Sequence, residues 1–380
     1  MKTTAQTFAE LGLSEATLRG VAKHGFVHPT PIQAKVIPVG LQGHDVIGCA
    51  QTGTGKTAAF VLPIADRLTH GKGIRCVILS PTREIALQTK EFLDVFGQGH
   101  HLRAAVLIGG VAMGPQTSAL RNHPDIVVAT PGRLLDHLER RHLNLQKVSE
   151  VVLDEADRML DMGFHRHTMM LSATMPFAVE GLARQYLRDP MRIDVAPPGT
   201  LKEGIVHRLY LVDQGQKRTA LLRLLKDERG PTLVFVRMKH EADRLARFLL
   251  SEGFDIGILH GDRSQRERTE ALSAFRTGHP RILVATDIAA RGLDIPAIAH
   301  VIHYDVPQNA EDYVHRSGRT ARYQATGVAS VIGTWMDLTS IKAIEKLVGQ
   351  TLPRCTIEGI PAFVETPPKR FGRLRPRMRH

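Results

Sequence analysis

The chain has 380 residues, 43% of them hydrophobic and 23% charged, with a formal net charge of +12 and a pI near 9.9. At roughly 150 residues per domain that is enough for two or three cores. Cys49, Cys76 and Cys355 lie far apart with no C-x-x-C, which excludes a disulfide framework or a zinc module. His165 and His167 form an H-x-H without nearby partners for a metal. No apolar stretch reaches the roughly 20 residues of a membrane span. The start "MKTTAQTFAELGL" has no long apolar core, so no signal peptide is expected and the default is cytoplasmic. The positive surplus points to a polyanionic partner, nucleic acid first, with a basic but inert surface as the alternative that charge alone leaves open.

Taken in chain order, short apolar runs alternate with helical patterns. "DVIGC" passes into the turn "AQTGTGKT" and then a helical run. There Gly53 and Gly55 let backbone N–H groups approach phosphates. Lys56 can reach the β- and γ-phosphates, the Thr57 hydroxyl can bind Mg²⁺, and the helix dipole lies behind them. Ala50 stands where the strict phosphate-loop pattern has Gly, so the strand–loop–helix context carries the reading; the bland alternative is a solvated Gly-Thr turn. "RCVILS", "RAAVLIG" and "DIVVAT" read as buried strands of a parallel sheet. "VVLDEAD" ends a strand on Asp154 and Glu155. Asp154 suits a metal held through water, and Glu155 suits a general base that orients a water. The alternative is a helix N-cap pair.

"TMMLSAT" is the last strand-like run before "VAPPGTLKEGIVHR", where Pro, Gly and charge mark a linker. The alternation restarts with "TLVFV", "FDIGILH", "RILVAT", "HVIHYD" and "GVASVIG". The expected division is therefore α/β with two domains, residues 1–195 and 207–353, joined by 196–206. A tail, 354–380, ends in "TPPKRFGRLRPRMRH", which carries six Lys/Arg and no acid and is expected to be disordered.

The ordered series of motifs resembles the DEAD-box ATP-dependent RNA helicases from Phe8 to about Gly349. "GFVHPTPIQ" is similar to the family's adenine-reading motif and "AQTGTGKT" to its phosphate loop, where the leading Ala is usual. "PTREIALQ", Gly109–Gly110, "TPGR", "DEAD" and "SAT" follow. "VFVRMK", "HGDRSQRER", "TDIAARGLDI" and "HRSGRTAR" occupy the second half. The resemblance implies two tandem RecA-like domains that close over ATP, Mg²⁺ and RNA. It implies that Gln33 bonds the adenine edge, Phe26 stacks on the ring, Thr54 belongs to the phosphate loop and Asp294 holds the ribose. Arg319 and Arg322 become arginine fingers. Asp157, Ser172, Thr174, His315 and Arg316 couple the ATP and RNA sites. Arg83, Gly109, Gly110, Thr130, Gly132 and Arg133 in the first domain, with Gly261, Gln265, Arg268 and Thr286 in the second, bind RNA backbone without reading sequence. Aromatic content of 5% leaves little for stacking platforms.

Two departures stand out. "YQATG" after Arg322 replaces the family's small Ala-Gly pair. More seriously, roughly 13 residues, a helix's worth, are missing after Asp157. In the family the strands on either side are parallel neighbours, and a βαβ crossover needs about 10–12 residues including its helix. Glu155 to His167 can just close it, with Ala156 to Met162 as about two helical turns. The expectation is a chain that binds ATP, with the register of Ser172–Thr174 at risk, a less stable first domain and weakened RNA stimulation. Overall the sequence reads as an RNA-stimulated ATPase that unwinds short duplexes or remodels RNA–protein complexes, expected as a monomer. An ATP-gated RNA clamp with little turnover and a double-stranded DNA translocase are the alternatives; "DEAD", "SAT" and the adenine motif speak against the translocase.

Overall fold

Runs rich in Val, Ile and Leu that are buried on both faces can only be central strands of a parallel sheet with helices on either side. The computed structural model describes residues 7–50, 53–68, 73–155, 167–172, 180, 183, 187–195, 201, 204–290, 298–321 and 326–361. Strands β1 (Val46–Cys49), β2 (Cys76–Leu79), β3 (Ala104–Leu107), β4 (Ile126–Ala129), β5 (Glu150–Asp154), β6 (His167–Ser172) and β7 (Met191–Asp194) form one parallel sheet in the order β3-β4-β2-β5-β6-β1-β7. Strands β8 (Ile205–Leu211), β9 (Thr232–Val236), β10 (Ile256–Leu259), β11 (Ile282–Thr286), β12 (His300–His303), β13 (Gly327–Gly333) and β14 (Arg354–Cys355) form a second, in the order β10-β11-β9-β12-β13-β8-β14. Counted from its own first strand, each sheet has the same order, so the chain is one architecture built twice.

Helices cover both faces of each sheet. On one face of the first, Phe60 and Ile64 of the helix Lys56–Arg67 pack with Val46, Ile78 and Leu171; on the other, Leu120 and Leu134 pack with Val77, Leu79 and Met170. Helix starts follow their caps. Ser14 accepts from Thr17 N, Thr82 accepts from Ile85 N, and Ser264 with Glu267 forms a capping box before the helix Gln265–Arg276.

Three strands differ from the sequence reading. β7 is an edge strand with only Ile193 buried, so it lacks an apolar run. β8 begins inside the stretch read as linker, because its alternation carries Ile205, His207 and Arg208 rather than a continuous run; it nevertheless pairs with β13 along its whole length. β14 lies inside the stretch read as tail, and Ile357 and Ile360 after it pack on the second core.

The short crossing closes. β6 pairs in parallel with β5, from Glu150↔His167 to Asp154↔Leu171, and with β1, from Val46↔Met169 to Cys49↔Ser172. A buried carboxylate pins its start: Asp45 accepts from Thr168 N at 2.8 Å and from Arg188 N at 2.7 Å. Asp45 sits just before β1, so one side chain ties together the starts of β1 and β6 and the approach to β7. Ser172, the residue whose register was in question, is paired with Cys49, and its carbonyl accepts from Ala50 N at 3.0 Å. Residues 156–166, where two helical turns were expected, and Thr174 lie outside the described residues.

Asp45→Ala leaves two backbone donors without that acceptor and is expected to lower stability by at least about 2 kcal/mol, at 1–3 kcal/mol per buried group, read from urea unfolding midpoints. Inserting a helix of roughly 13 residues after Phe164 is expected to raise the melting temperature. An unchanged value would mean that the short crossing leaves no stability deficit.

Candidate functional site

The C-terminal ends of parallel strands are where such sheets hold ligands, and the first sheet gathers its motif residues there. A cavity of about 450 Å³ is lined by Gly53, Gly55, Lys56 and Thr57 from the turn after β1, and by Asp154 and Glu155 from the end of β5. Lys56 opens the helix Lys56–Arg67; it is buried and its Nζ donates to Ala50 O at 2.8 Å. Gly55 has φ 85°, and a Cβ there would lie 2.3 Å from Gln33 Nε2, so no other residue fits beneath Gln33. Asp154 is buried at the strand end, and Glu155 has φ 51°, which turns the chain at the cavity wall.

Gln33 does two jobs from one position. As the N3 residue of the helix Pro31–Leu41 it accepts from Thr30 N at 2.9 Å, and its Nε2 donates to Gly55 O at 3.1 Å. A carboxamide has two donors and two lone pairs, so each end retains one hydrogen bond for a ligand. Phe26 lines the same cavity and rests on an aromatic cluster, with ring centroids 5.9 Å from Phe96 and 6.5 Å from Phe92. Ile85, Gln88 and Phe92, one face of the helix Arg83–Phe96, complete this wall. The set fits a purine nucleotide: an apolar and amide end, then a turn of backbone N–H groups and a lysine. Thr57 and Asp154 are the hard oxygen donors that Mg²⁺ takes.

The second sheet closes the cavity with Arg319. Arg319 is buried, and its Nε donates to His315 O at 3.2 Å just past the end of the helix Ala310–Ser317. Arg316 on that helix is held by Asp287 in two bonds of 2.6 and 2.7 Å and donates to Asp305 O at 2.7 Å. Asp157, Asp294 and Arg322 lie outside the described residues.

The RNA candidates flank this cavity at the ends of β2, β3 and β4. Arg83 starts the helix Arg83–Phe96 and lies against Gly109 and Gly110; a Cβ at Gly110 would come within 2.0 Å of its guanidinium. Thr130 is the N-cap residue of the helix Pro131–Glu139, whose first turn carries Gly132 and Arg133, and Arg133 donates to Val111 O at 3.1 Å. In the second sheet Gly261 follows β10, and Thr286 ends β11. Gln265 and Arg268 have a protein partner that the sequence reading did not foresee. Both bond Glu84 of the first body: Arg268 Nη2 at 2.7 Å and Gln265 Nε2 at 3.2 Å, with the Arg268 and Glu84 side chains 7% and 4% exposed. Sequence reading passed over Glu84, because an acid in a helix's first turn is ordinary and its burial depends on residues about half the chain away.

The fold and the shared cavity define a nucleotide-driven enzyme made of two RecA-like bodies that meet across one site. The model of the DEAD/DEAH box helicases matches residues 30–182, and that of the helicase conserved C-terminal domain matches residues 216–324. The chain is 42% identical over 364 residues to the DEAD-box ATP-dependent RNA helicase CshA of Bacillus cereus, covering 92% of this chain and 69% of that one. It is 41% identical over 359 residues to RhpA of Helicobacter pylori, covering 90% and 72%. Among solved structures, S. cerevisiae Dbp5 bound to RNA and ADP BeF3 superposes with a TM-score of 0.84 at 30% identity, covering 93% and 96%. The chain belongs to the DEAD-box ATP-dependent RNA helicases, and its activity is RNA-stimulated ATP hydrolysis coupled to RNA unwinding.

The Glu84–Arg268 pair makes the meeting of the two bodies testable. Glu84→Ala leaves a buried guanidinium without its partner, a loss of about 3–5 kcal/mol, and is expected to separate the bodies. Glu84→Leu combined with Arg268→Met is expected to restore part of the contact. Fluorescence transfer between labels on the two bodies checks both; an unchanged distance in Glu84→Ala would show that the pair does not hold them together.

Proposed function

We propose that hydrolysis is gated by closure of the two bodies, divided between β7 and β8, and that RNA drives the closure. The observation that carries this is one cavity lined by Lys56, Asp154 and Glu155 from the first body and Arg319 from the second. Gln33 and Phe26 recognise adenine, the Gly53–Thr57 turn with Thr54 and Lys56 holds the phosphates, and Asp294 takes the ribose. Thr57 and Asp154 would hold Mg²⁺, which when bound would offset the negative charge of the phosphates. Glu155 accepts the proton of the attacking water. Arg319, with Arg322, stabilises the charge that develops on the transferred phosphoryl group and reaches it only from the second body. Asp157, Ser172, Thr174, His315 and Arg316 couple this site to RNA.

Arg83, Gly109, Gly110, Thr130, Gly132 and Arg133, with Gly261 and Thr286, grip the RNA backbone. Gln265 and Arg268 hold the two RNA-facing edges together through Glu84. The similarity to Dbp5 supports a closed reading: the TM-score is 0.84 for the form bound to RNA and ADP BeF3 and 0.62 for a variant bound to Nup159, Gle1, IP6 and ADP. Among the described residues no helix is long and apolar enough to cross a membrane; a cytoplasmic monomer is the reading we adopt.

Lys56→Ala is expected to weaken ATP binding and turnover together. Glu155→Gln keeps the shape but removes the base, so ATP and RNA stay bound and phosphate release stops; near-normal release would reject the base assignment. Arg319→Ala should slow single-turnover hydrolysis by up to about 10³-fold with little change in ATP affinity. In the wild-type chain, sustained phosphate release stimulated by RNA but not by DNA separates a helicase from a clamp and from a DNA translocase.

The basic stretch Lys369 to Arg379, outside the described residues, is proposed as an electrostatic RNA tether. Deleting it should flatten the log–log salt dependence of single-strand binding by about 0.7 per lost phosphate contact. An unchanged slope removes the tether.

A further inference from the structure

Behind the helix that ends near Arg319 lie two buried polar pairs. Tyr313 and Ser317 stand four residues apart on the helix Ala310–Ser317, so they share one face, and both are buried against the second sheet. His207 of β8 has Nδ1 2.6 Å from the Tyr313 hydroxyl. His303 of β12 has Nε2 3.2 Å from the Ser317 hydroxyl, and its ring lies 4.8 Å from that of Tyr313.

The two bonds tie neighbouring turns of one helix face to two different strands, β8 and β12. The remaining ring nitrogens, His303 Nδ1 and His207 Nε2, are buried with no hydrogen-bond partner among the described residues. Both rings are neutral at physiological pH. Burial lowers His207 to about 4 and His303 well below the usual range, and for His303 the nearby Arg316 adds to it.

We propose that these two bonds, His207–Tyr313 and His303–Ser317, fix the rotation of the helix Ala310–Ser317 on the sheet and thereby deliver Arg319 to the nucleotide cavity. The four are positioning residues for hydrolysis. Apolar packing of Tyr313 alone would tolerate a rotation of the helix, because dispersion contacts have little angular preference. Hydrogen bonds to two different strands do not, since they weaken steeply away from linearity. Arg319 starts two residues beyond Ser317 and is bonded to the helix carbonyl of His315, so a rotation of the helix carries the guanidinium with it. Arg316, clamped to Asp287, braces the other side.

This rests on the finger role proposed above for Arg319, and the test keeps the two apart. Tyr313→Phe removes one hydroxyl and keeps the ring. With saturating RNA it is expected to slow single-turnover ATP hydrolysis about tenfold, the equivalent of one to two hydrogen bonds. The dissociation constant for ATP should not change. Ser317→Ala, which breaks the second bond, should do the same. Placed in an Arg319→Ala background, Tyr313→Phe should have no further effect. A further tenfold loss in that background would overturn the inference, because the two bonds would then act through something other than Arg319. So would wild-type hydrolysis rates in both single variants. If Arg319→Ala alone hydrolyses ATP at the wild-type rate, it is the finger assignment that fails. Should Tyr313→Phe not fold, Ser317→Ala alone and in the Arg319→Ala background decides the same question.

Discussion

The first body depends on β6 lying between β1 and β5. That single placement puts the start of the phosphate loop, the Asp154–Glu155 pair and Ser172 on one edge of one sheet, with Ala50 N bonded to Ser172 O. A slip of one residue would turn every β6 side chain to the opposite face and move Met170 and Leu171 out of the two cores they now fill. The chain meets this constraint with an unusually short connection. The register is held instead by parallel pairing on both sides and by Asp45 at the strand's start. The crossing therefore needs only enough length to return, because it does not itself specify where the strand begins.

The helix Arg83–Phe96 carries the link from this edge to the second body. Its first turn offers Arg83 to the glycines after β3 and Glu84 to Arg268. The face that follows, Ile85, Gln88 and Phe92, lines the nucleotide cavity. One rigid element thus touches the RNA-facing edge, the opposite body and the nucleotide. A buried ion pair such as Glu84–Arg268 adds little net attraction over a well-packed apolar contact, yet breaking it on one side is expensive. Its contribution is specificity: it favours one mutual orientation of the bodies over others that would bury the same area.

What could be read from the sequence and what could not divide along a physical line. The phosphate loop, the acids after β5 and the motif arginines are short local patterns, and buried strands such as Thr232–Val236 announce themselves as apolar runs. β7, β8 and β14 escaped because their burial is partial and their residues mixed. The pairing of Gln265 and Arg268 with Glu84 went unread because Glu84 is 181 and 184 residues away, and no local pattern encodes such a pairing. The two polar pairs behind Arg319 were invisible because their members lie far apart in the sequence. His207, His303, Tyr313 and Ser317 come from three separate elements, and each by itself reads as an ordinary core or surface residue.

The two sheets share one strand order but divide the chemistry unequally. The first body supplies what holds a nucleotide: amide, aromatic ring, phosphate loop and acids. The second places Arg319 at that cavity. A single body with both sets would bind and hydrolyse without regard to RNA. On the gating proposed above, the first body holds most of the nucleotide, while Arg319 reaches it only when the second body sits in one orientation. RNA spanning both edges would favour that orientation, and the free energy of RNA binding would then be converted into a rate of hydrolysis. Loss of phosphate would in turn remove a ligand that both bodies share and weaken the closed arrangement.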